Sequence, residues 1–175
     1  VLLVLSLIFG CSVYFYLKSQ NIITGEYEVS TKNSDYDISN NDVIKIYTDE
    51  NGFPHIKANN REDGFFGLGF MHAKDRLWQM DLNRRIASGK LSEIFGKKTI
   101  ETDKFMRSLG FNYYSANSVR YFRKTSMYQK ELDAYIAGIN YFGNNFKLPL
   151  EYYLTFTKFH NFTLQDSIAI NTLFS

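Results

Sequence analysis

The sequence predicts an α+β fold, mostly helical with one β-hairpin. Three observations carry that expectation: a strand–turn–strand pattern over residues 43–58, an apolar stripe at helical spacing from Phe66 to Met80, and further helical stretches running to Phe174. A length of 175 residues suits one domain, and a hydrophobic content of 45% is ordinary. The aromatic load is not ordinary. With 16 Phe and 13 Tyr, rings make up 17% of the chain, and large rings must be buried or stacked.

Residues 1–17 form an apolar run interrupted by Ser6 and Ser12, with Tyr14 and Tyr16 near its end and Lys18 closing it. A helix of that length spans roughly 25 Å, slightly short of a ~30 Å hydrocarbon core. The chain opens on Val, so residues upstream are expected. A transmembrane anchor is the first expectation, its tyrosines suiting the aromatic belt at a membrane interface. A cleaved signal peptide is the second, with Gly10 and Ser12 as the small residues before the cut. A lipoprotein-type Cys11 ranks third, because Phe9 is bulky where such sites carry a small residue. All three place the remainder outside the cytosol, either membrane-anchored or secreted. As the only cysteine, Cys11 permits neither an intrachain disulfide nor a Cys-rich metal site.

Residues 18–41 are rich in Ser, Asn, Thr, Asp and Glu and read as a polar spacer, in which Ile22, Ile23, Val29 and Ile38 leave room for a short edge strand. Residues 42–175 read as the folded body. Val43–Thr48 is β-branched and aromatic, Asp49–Gly52 supplies turn chemistry, and Pro54–Ala58 returns as the second strand with proline in its first position. Asn59 or Asn60 then caps a helix that carries Glu62 and Asp63 in its first turn. Phe66, Phe70, Ala73, Leu77 and Met80 draw its apolar stripe, widened by Trp78, Leu82 and Ile86. Gly64, Gly67 and Gly69 weaken the early turns, so a break is expected near Gly67–Gly69. Asp81 sits four residues before Arg85 in the favourable order for a helical ion pair, and Gly89 ends the helix.

Leu91–Phe95 reads as one further turn, stopped by Gly96. Helices are expected over Thr102–Leu109, Ser115–Lys124 and Met127–Phe142, the last with a stripe of Tyr128, Leu132, Tyr135, Ile136 and Ile139. Asn144 and Asn145 break it, Leu148–Leu150 marks an extended crossing, and Thr163 caps a final helix over Leu164–Phe174. That helix meets Ser175 without a C-cap, so further polypeptide is expected.

Most catalytic patterns fail. A formal charge of +2, with basic and acidic residues interleaved, gives no nucleic-acid footprint. His55, His72 and His160 are scattered, which excludes a zinc-protease helix. Gly96-Lys97-Lys98-Thr99 lacks the leading glycine of a phosphate loop. Gly64, Gly67 and Gly69 miss the dinucleotide spacing, and no Gly-x-Ser-x-Gly elbow occurs. What remains is a polar cluster on one helix: His72, Lys74, Asp75, Arg76, Gln79, Asp81, Asn83, Arg84 and Arg85. Lys74 and Asn83 are expected on a solvated face. Asp75, Arg76 and Arg85 are expected in buried hydrogen bonds with other parts of a larger protein, since Phe70 and Trp78 lie beside them. His55, a lone histidine after proline, is expected to be a structural hydrogen-bonder.

One long ordered string carries a resemblance. Asp49-Glu50-Asn51-Gly52-Phe53-Pro54-His55-Ile56, then Gly67-Leu68-Gly69-Phe70-Met71-His72-Ala73-Lys74-Asp75-Arg76-Leu77-Trp78-Gln79-Met80, resembles the opening of the penicillin acylases. Asp81-Leu82, Arg84-Arg85 and Ser88-Gly89-Lys90-Leu91-Ser92-Glu93-Ile94-Phe95-Gly96 continue it. Asp103 with Arg107, Tyr135 to Asn140, Leu148 to Tyr152, and Asp166-Ser167 extend it in order. One departure is visible: Phe162 stands where the family commonly has Trp.

The resemblance implies part of an N-terminal-nucleophile amidohydrolase, an αββα sandwich whose precursor cuts itself into a small and a large chain. The cut frees a Ser, less often Cys or Thr, whose own α-amine (pKa of ~8) accepts its proton. Here the resemblance covers most of a small chain, with the missing large chain as partner and a small acylated amine as substrate. The implied calcium ion is held with the large chain, through a small-chain acid beyond residue 175. No catalytic, cofactor-binding or metal residue is therefore assigned. Gly52, Pro54, His55, Asp75, Arg76, Gln79, Arg84, Arg85, Gly89, Glu93 and Gly96 are expected to be scaffold. The expected function is the amino-terminal piece of an enzyme cleaving a linear amide, inactive alone. The alternatives are a non-catalytic, membrane-tethered binding module, or a basic helix meeting anionic lipid through Arg84, Arg85, Lys97 and Lys98.

Overall fold

The computed structural model describes residues 44–175 and the backbone of residues 27–29; the apolar run at 1–17 and most of the polar spacer lie outside the described residues. Strands β2 (Ile44–Thr48) and β3 (Pro54–Lys57) form the expected hairpin, paired antiparallel from Lys45 opposite Lys57 to Thr48 opposite Pro54. Asp49 closes it: its Oδ1 accepts from the N–H groups of Asn51 and Phe53, both at 2.9 Å, while Gly52 takes a φ of 86°. Alternation buries Ile44 and Ile46 completely and turns Lys45 to solvent.

The spacer is not wholly structureless. Its residues Tyr27–Val29 form strand β1, which pairs antiparallel with the other edge of β2 and gives a three-stranded sheet in the order β1-β2-β3.

Helix α1 (Arg61–Ser88) lies against the sheet. Asn60 caps its start, accepting from the Asp63 N–H at 2.8 Å, and Gly89 ends it in the left-handed conformation at a φ of 61°. Phe66, Phe70, Ala73 and Leu77 are fully buried, as the stripe requires. The expected break near Gly67–Gly69 is absent; the non-helical residue is Arg76, at φ −138° and ψ 15°. The glycines serve packing instead. A Cβ on Gly67 would press on Ile56 of the sheet at 2.7 Å. One on Gly69 would strike the carbonyl oxygen of Tyr135 in α5 (Gln129–Asn145), and one on Gly138 of α5 would strike that of Phe66. The two backbones therefore cross in direct contact.

Around that crossing the rings interlock. Phe70 meets Phe142 and Phe146 edge-on, with centroids 5.6 Å and 5.2 Å apart, while Phe142 and Phe146 stack at 5.3 Å. Tyr128, expected in the α5 stripe, is instead 52% exposed, and Ala134 and Phe142 join Ile136 and Ile139 in the buried face.

After α1 come a single turn, α2 (Ser92–Phe95), a tight turn over Gly96–Thr99, and helices α3 (Ile100–Ser108) and α4 (Phe111–Thr125). The extended crossing expected at Leu148–Leu150 ends sooner. Pro149 is extended, at ψ 151°, and the short helix α6 (Leu150–Leu154) starts directly after it. Helix α7 (Leu164–Leu173) starts from Thr163 with a reciprocal capping box to Asp166 and packs on α4. Among the described residues no helix is long and apolar enough to cross a membrane. Several large apolar side chains remain exposed, among them Tyr113, Tyr121, Met127 and Phe156.

The glycines of α1 should separate by what faces them. Gly69→Ala should cost about 3 kcal/mol or more, because a backbone carbonyl cannot step aside. Gly64, whose Cβ would meet only Ala58 at 3.9 Å, should tolerate alanine. Gly64→Ala should gain up to about 1 kcal/mol of helix propensity, as read by urea denaturation of both variants.

Candidate functional site

The polar residues of α1 divide at the Arg76 bend. His72, Asp75, Arg76 and Gln79 are exposed, whereas Asp81, Arg84 and Arg85 are buried. The stripe through Ala73 and Leu77 turns Asp75 and Arg76 outward on this chain, whereas Arg85 is buried against Asp81 and Glu93; the expectation set all three in hydrogen bonds with other parts of a larger protein. Asp75 has only Lys74 at 3.6 Å, and Arg76 reaches Gln79 at 3.4 Å. Lys74, expected in solvent, keeps only 10% of its side chain exposed.

Asp81 is the centre of the buried group. Its Oδ1 accepts from Nε of Arg84 at 2.7 Å and lies 2.6 Å from Nη2 of the same guanidinium, and its Oδ2 accepts from Nε of Arg85 at 3.3 Å. Arg85 Nη1 donates onward to Glu93 at 2.6 Å. Arg84 Nη1 donates to the Asn161 carbonyl at 3.1 Å, lies 3.9 Å from Asp166, and its guanidinium covers the Phe162 ring at 4.3 Å. Tyr152 stands beside this network, 2% exposed, with Trp78 edge-on at 5.1 Å. Burial, and then the Asp81 charge, push its phenol far above the usual range. Among the described residues its hydroxyl finds no hydrogen-bond partner.

A second node sits at the end of α1. Asp103 of α3 accepts from the Leu91 N–H at 2.7 Å and the Ser92 N–H at 2.8 Å, which gives α2 the start its own sequence lacks. Arg107 donates to the Gly89 carbonyl at 2.8 Å. Burial pushes the Asp103 carboxyl up, but the Ser92 side chain, the two N–H groups and the Arg107 charge outweigh it and hold it below the usual range. Asn140 of α5 forms the third node. It exchanges two hydrogen bonds with the Phe162 backbone, at 3.0 Å and 2.7 Å, and fixes the strand-like segment before α7.

An open polar cavity of about 340 Å³ lies over the network, lined by Arg84, Arg85, Lys90, Glu93, His160 and Asp166 among others. Asp81, Glu93 and Asp166 counter Arg84 and Arg85 in it, so the arrangement braces three chain segments. Of the expected scaffold residues, Arg84, Arg85 and Glu93 come together in this network, and Gly89 adjoins it through Arg107. Gly52, Pro54 and His55 lie at the far end of the hairpin. There His55 Nε2 meets Asp49 Oδ2 at 3.1 Å and its ring stacks on Tyr47 at 4.8 Å. Gly96 is exposed in the tight turn. With Arg84 and Arg85 buried and paired, the lipid-contacting reading loses half of its cations.

The roles of Asp103, Asn140 and Tyr152, and the 2.9 Å pair between His72 Nδ1 and the Tyr135 hydroxyl, have no local signal in the sequence. Each joins residues far apart in the chain. Among the described residues no group of three or more His, Cys, Asp and Glu could hold a metal ion.

Comparison with known proteins follows this geometry. Residues 43–175 match the family model described as penicillin amidase. The penicillin acylase 2 proenzyme of Pseudomonas sp. (strain SE83) is 40% identical over 111 residues, covering 62% of this chain and 14% of that protein. The acyl-homoserine lactone acylase QuiP of Pseudomonas aeruginosa is 33% identical over 110 residues, 62% of this chain and 13% of its own. Penicillin G acylase of Escherichia coli is 45% identical over 64 residues, 37% of this chain and 8% of that one. This chain thus spans a small fraction of the length of the curated relatives it matches. Among solved structures, a thermostable penicillin G acylase from Alcaligenes faecalis superposes with a TM-score of 0.64 at 24% identity, over 74% of this chain and 70% of that chain. The fold, mostly helical with a small antiparallel sheet, is the one found in that acylase over the superposed residues.

Two outcomes follow from the nodes. Asp81→Ala leaves two buried guanidinium groups without their shared carboxylate and should cost about 3–5 kcal/mol in urea denaturation. Asp103→Asn should cost about 1–2 kcal/mol at neutral pH. Because folding lowers the Asp103 pKa, its contribution is full above its unfolded value of ~4 and is lost as pH falls through the lower folded value. The gap in melting temperature between wild type and Asp103→Asn should therefore close below about pH 4.

Proposed function

The chain belongs to the penicillin amidase family, and from that premise we propose that it is the small-chain part of a precursor whose mature enzyme hydrolyses a linear amide. The observation that carries this reading is the family match over residues 43–175, the whole of the described body beyond β1. Two further findings support it. The relatives named above are acylases, one of them called a proenzyme. The Alcaligenes faecalis chain is matched over a similar share of both partners, so it is about as long as this one.

In this reading the reaction needs a group absent from residues 1–175: a Ser, Cys or Thr freed at a new amino terminus. Its neutral α-amine takes the hydroxyl or thiol proton as the nucleophile attacks the amide carbonyl, and an acyl-enzyme forms as the amine leaves. Water then releases the acid. Donors aimed at the developing oxyanion lower both barriers. The Asp81, Asp103 and Asn140 nodes contribute rigidity, holding α1, α5 and α7 in fixed relation so that the chain carrying the nucleophile has a fixed surface to fold against. An acylated amine is the substrate class. The apolar run at residues 1–17 supports placement outside the cytosol, tethered to or released from a membrane.

Expression of the complete reading frame tests this. Two polypeptides should appear, the larger beginning with Ser, Cys or Thr, and the pair should release the acyl group from an acylated amine. Alanine in place of the new terminal residue should lower turnover by roughly 10³-fold or more. Residues 1–175 alone should be inert, and turnover by them would end the proposal. A full-length protein with no processed nucleophile would favour the non-catalytic binding module.

A further inference from the structure

We propose that the end of α6 and the turn that follows it form a preformed docking knob, Tyr153, Leu154 and Phe156, that seats in an apolar pocket on the remaining polypeptide of the same precursor. Two independent features single it out. The first is exposure: Tyr153 is 53%, Leu154 65% and Phe156 94% exposed, beside a Tyr152 that is 2% exposed. The second is backbone conformation. Phe156 is the only non-glycine with positive φ among the described residues, at 54°. A bulky L-residue there costs about 1–2 kcal/mol. A ring 94% exposed gains almost nothing within this chain to offset that cost.

The conformation is held nonetheless. Thr155 donates to the Glu151 carbonyl through its N–H at 3.0 Å and its hydroxyl at 2.7 Å. The Thr157 N–H donates to the Tyr152 carbonyl at 3.1 Å, and the two threonine hydroxyls meet at 2.8 Å. Buried Tyr152 fixes the base of the frame. A backbone framed this way has little freedom left to lose on docking, so only the ring's rotamer has to be fixed.

The occupant follows from chemistry and length. Residues 152–157 carry no charge, so the complement is apolar rather than an anionic surface. The matched region is 14% of the penicillin acylase 2 proenzyme, so in a precursor of that size most of the surface able to cover the knob lies outside these residues. The inference rests on the reading that this chain is part of a longer precursor, and not on the reaction that precursor performs.

Hydroxyl-radical footprinting of the complete wild-type precursor, read by mass spectrometry, tests the contact. Phe156 should oxidise severalfold more slowly in the native protein than in urea, independently of protein concentration. Equal rates would overturn the proposal, and protection that grows with concentration would overturn it in favour of a second copy. Phe156→Gly removes strain and ring together. Docking predicts that it lowers the melting temperature of the precursor, whereas an unused ring predicts a rise. Protection of Phe156 in a precursor without amide hydrolysis would support the contact while removing the proposed reaction.

Discussion

The fold hangs on one close approach, the crossing of α1 and α5 where Gly69 faces the Tyr135 carbonyl and Gly138 faces that of Phe66. Helices normally pack with axes 8–10 Å apart, set by the side chains between them. Removing both side chains brings the backbones together and puts Phe66, Phe70 and Phe142 at the flanks of the contact, where their rings interlock. The sheet lies on the Gly67 side of α1, so the same helix serves two packing faces with glycines at both.

The Asp81 network depends on that crossing. With α1 fixed against α5, its last turns place Arg84 and Arg85 beside Asn161, Asp166 and Glu93, which come from two other segments. A buried carboxylate shared by two guanidinium groups contributes little net stability against a well-packed apolar alternative. Its geometry is demanding, however, and it admits one arrangement of the surrounding segments. Tyr152, buried beside Asp81, is held in its protonated form by that burial and by the carboxylate charge.

The parts of the structure legible in the sequence are those decided locally. Asn60, Gly89 and Thr163 mark helix ends because a cap acts within four residues, and Asp49 to Gly52 marks the hairpin for the same reason. The Asp81–Arg85 ion pair is legible from the four-residue spacing alone. Gly69 was misread as a weak point because its partner, Tyr135, lies 66 positions away. Asp103 closes a turn a dozen residues earlier, and no periodicity announces that. Helix α6 was missed because Pro149 was taken to prolong an extended crossing, although proline also tolerates the first turn of a helix. β1 includes Val29, one of the isolated apolar positions that left room for a short edge strand; which edge it joins is set by backbone pairing with β2 and has no mark in composition.

That short strand has a mechanical consequence. Tyr27 is stitched to Ile46, and Lys18, which closes the apolar run, is nine residues before it. Nine residues reach at most about 30 Å when fully drawn out. Whatever path the chain takes between them, Lys18 therefore lies within about 30 Å of the sheet edge, so anything that fixes the apolar run also fixes how far the body can stand from it.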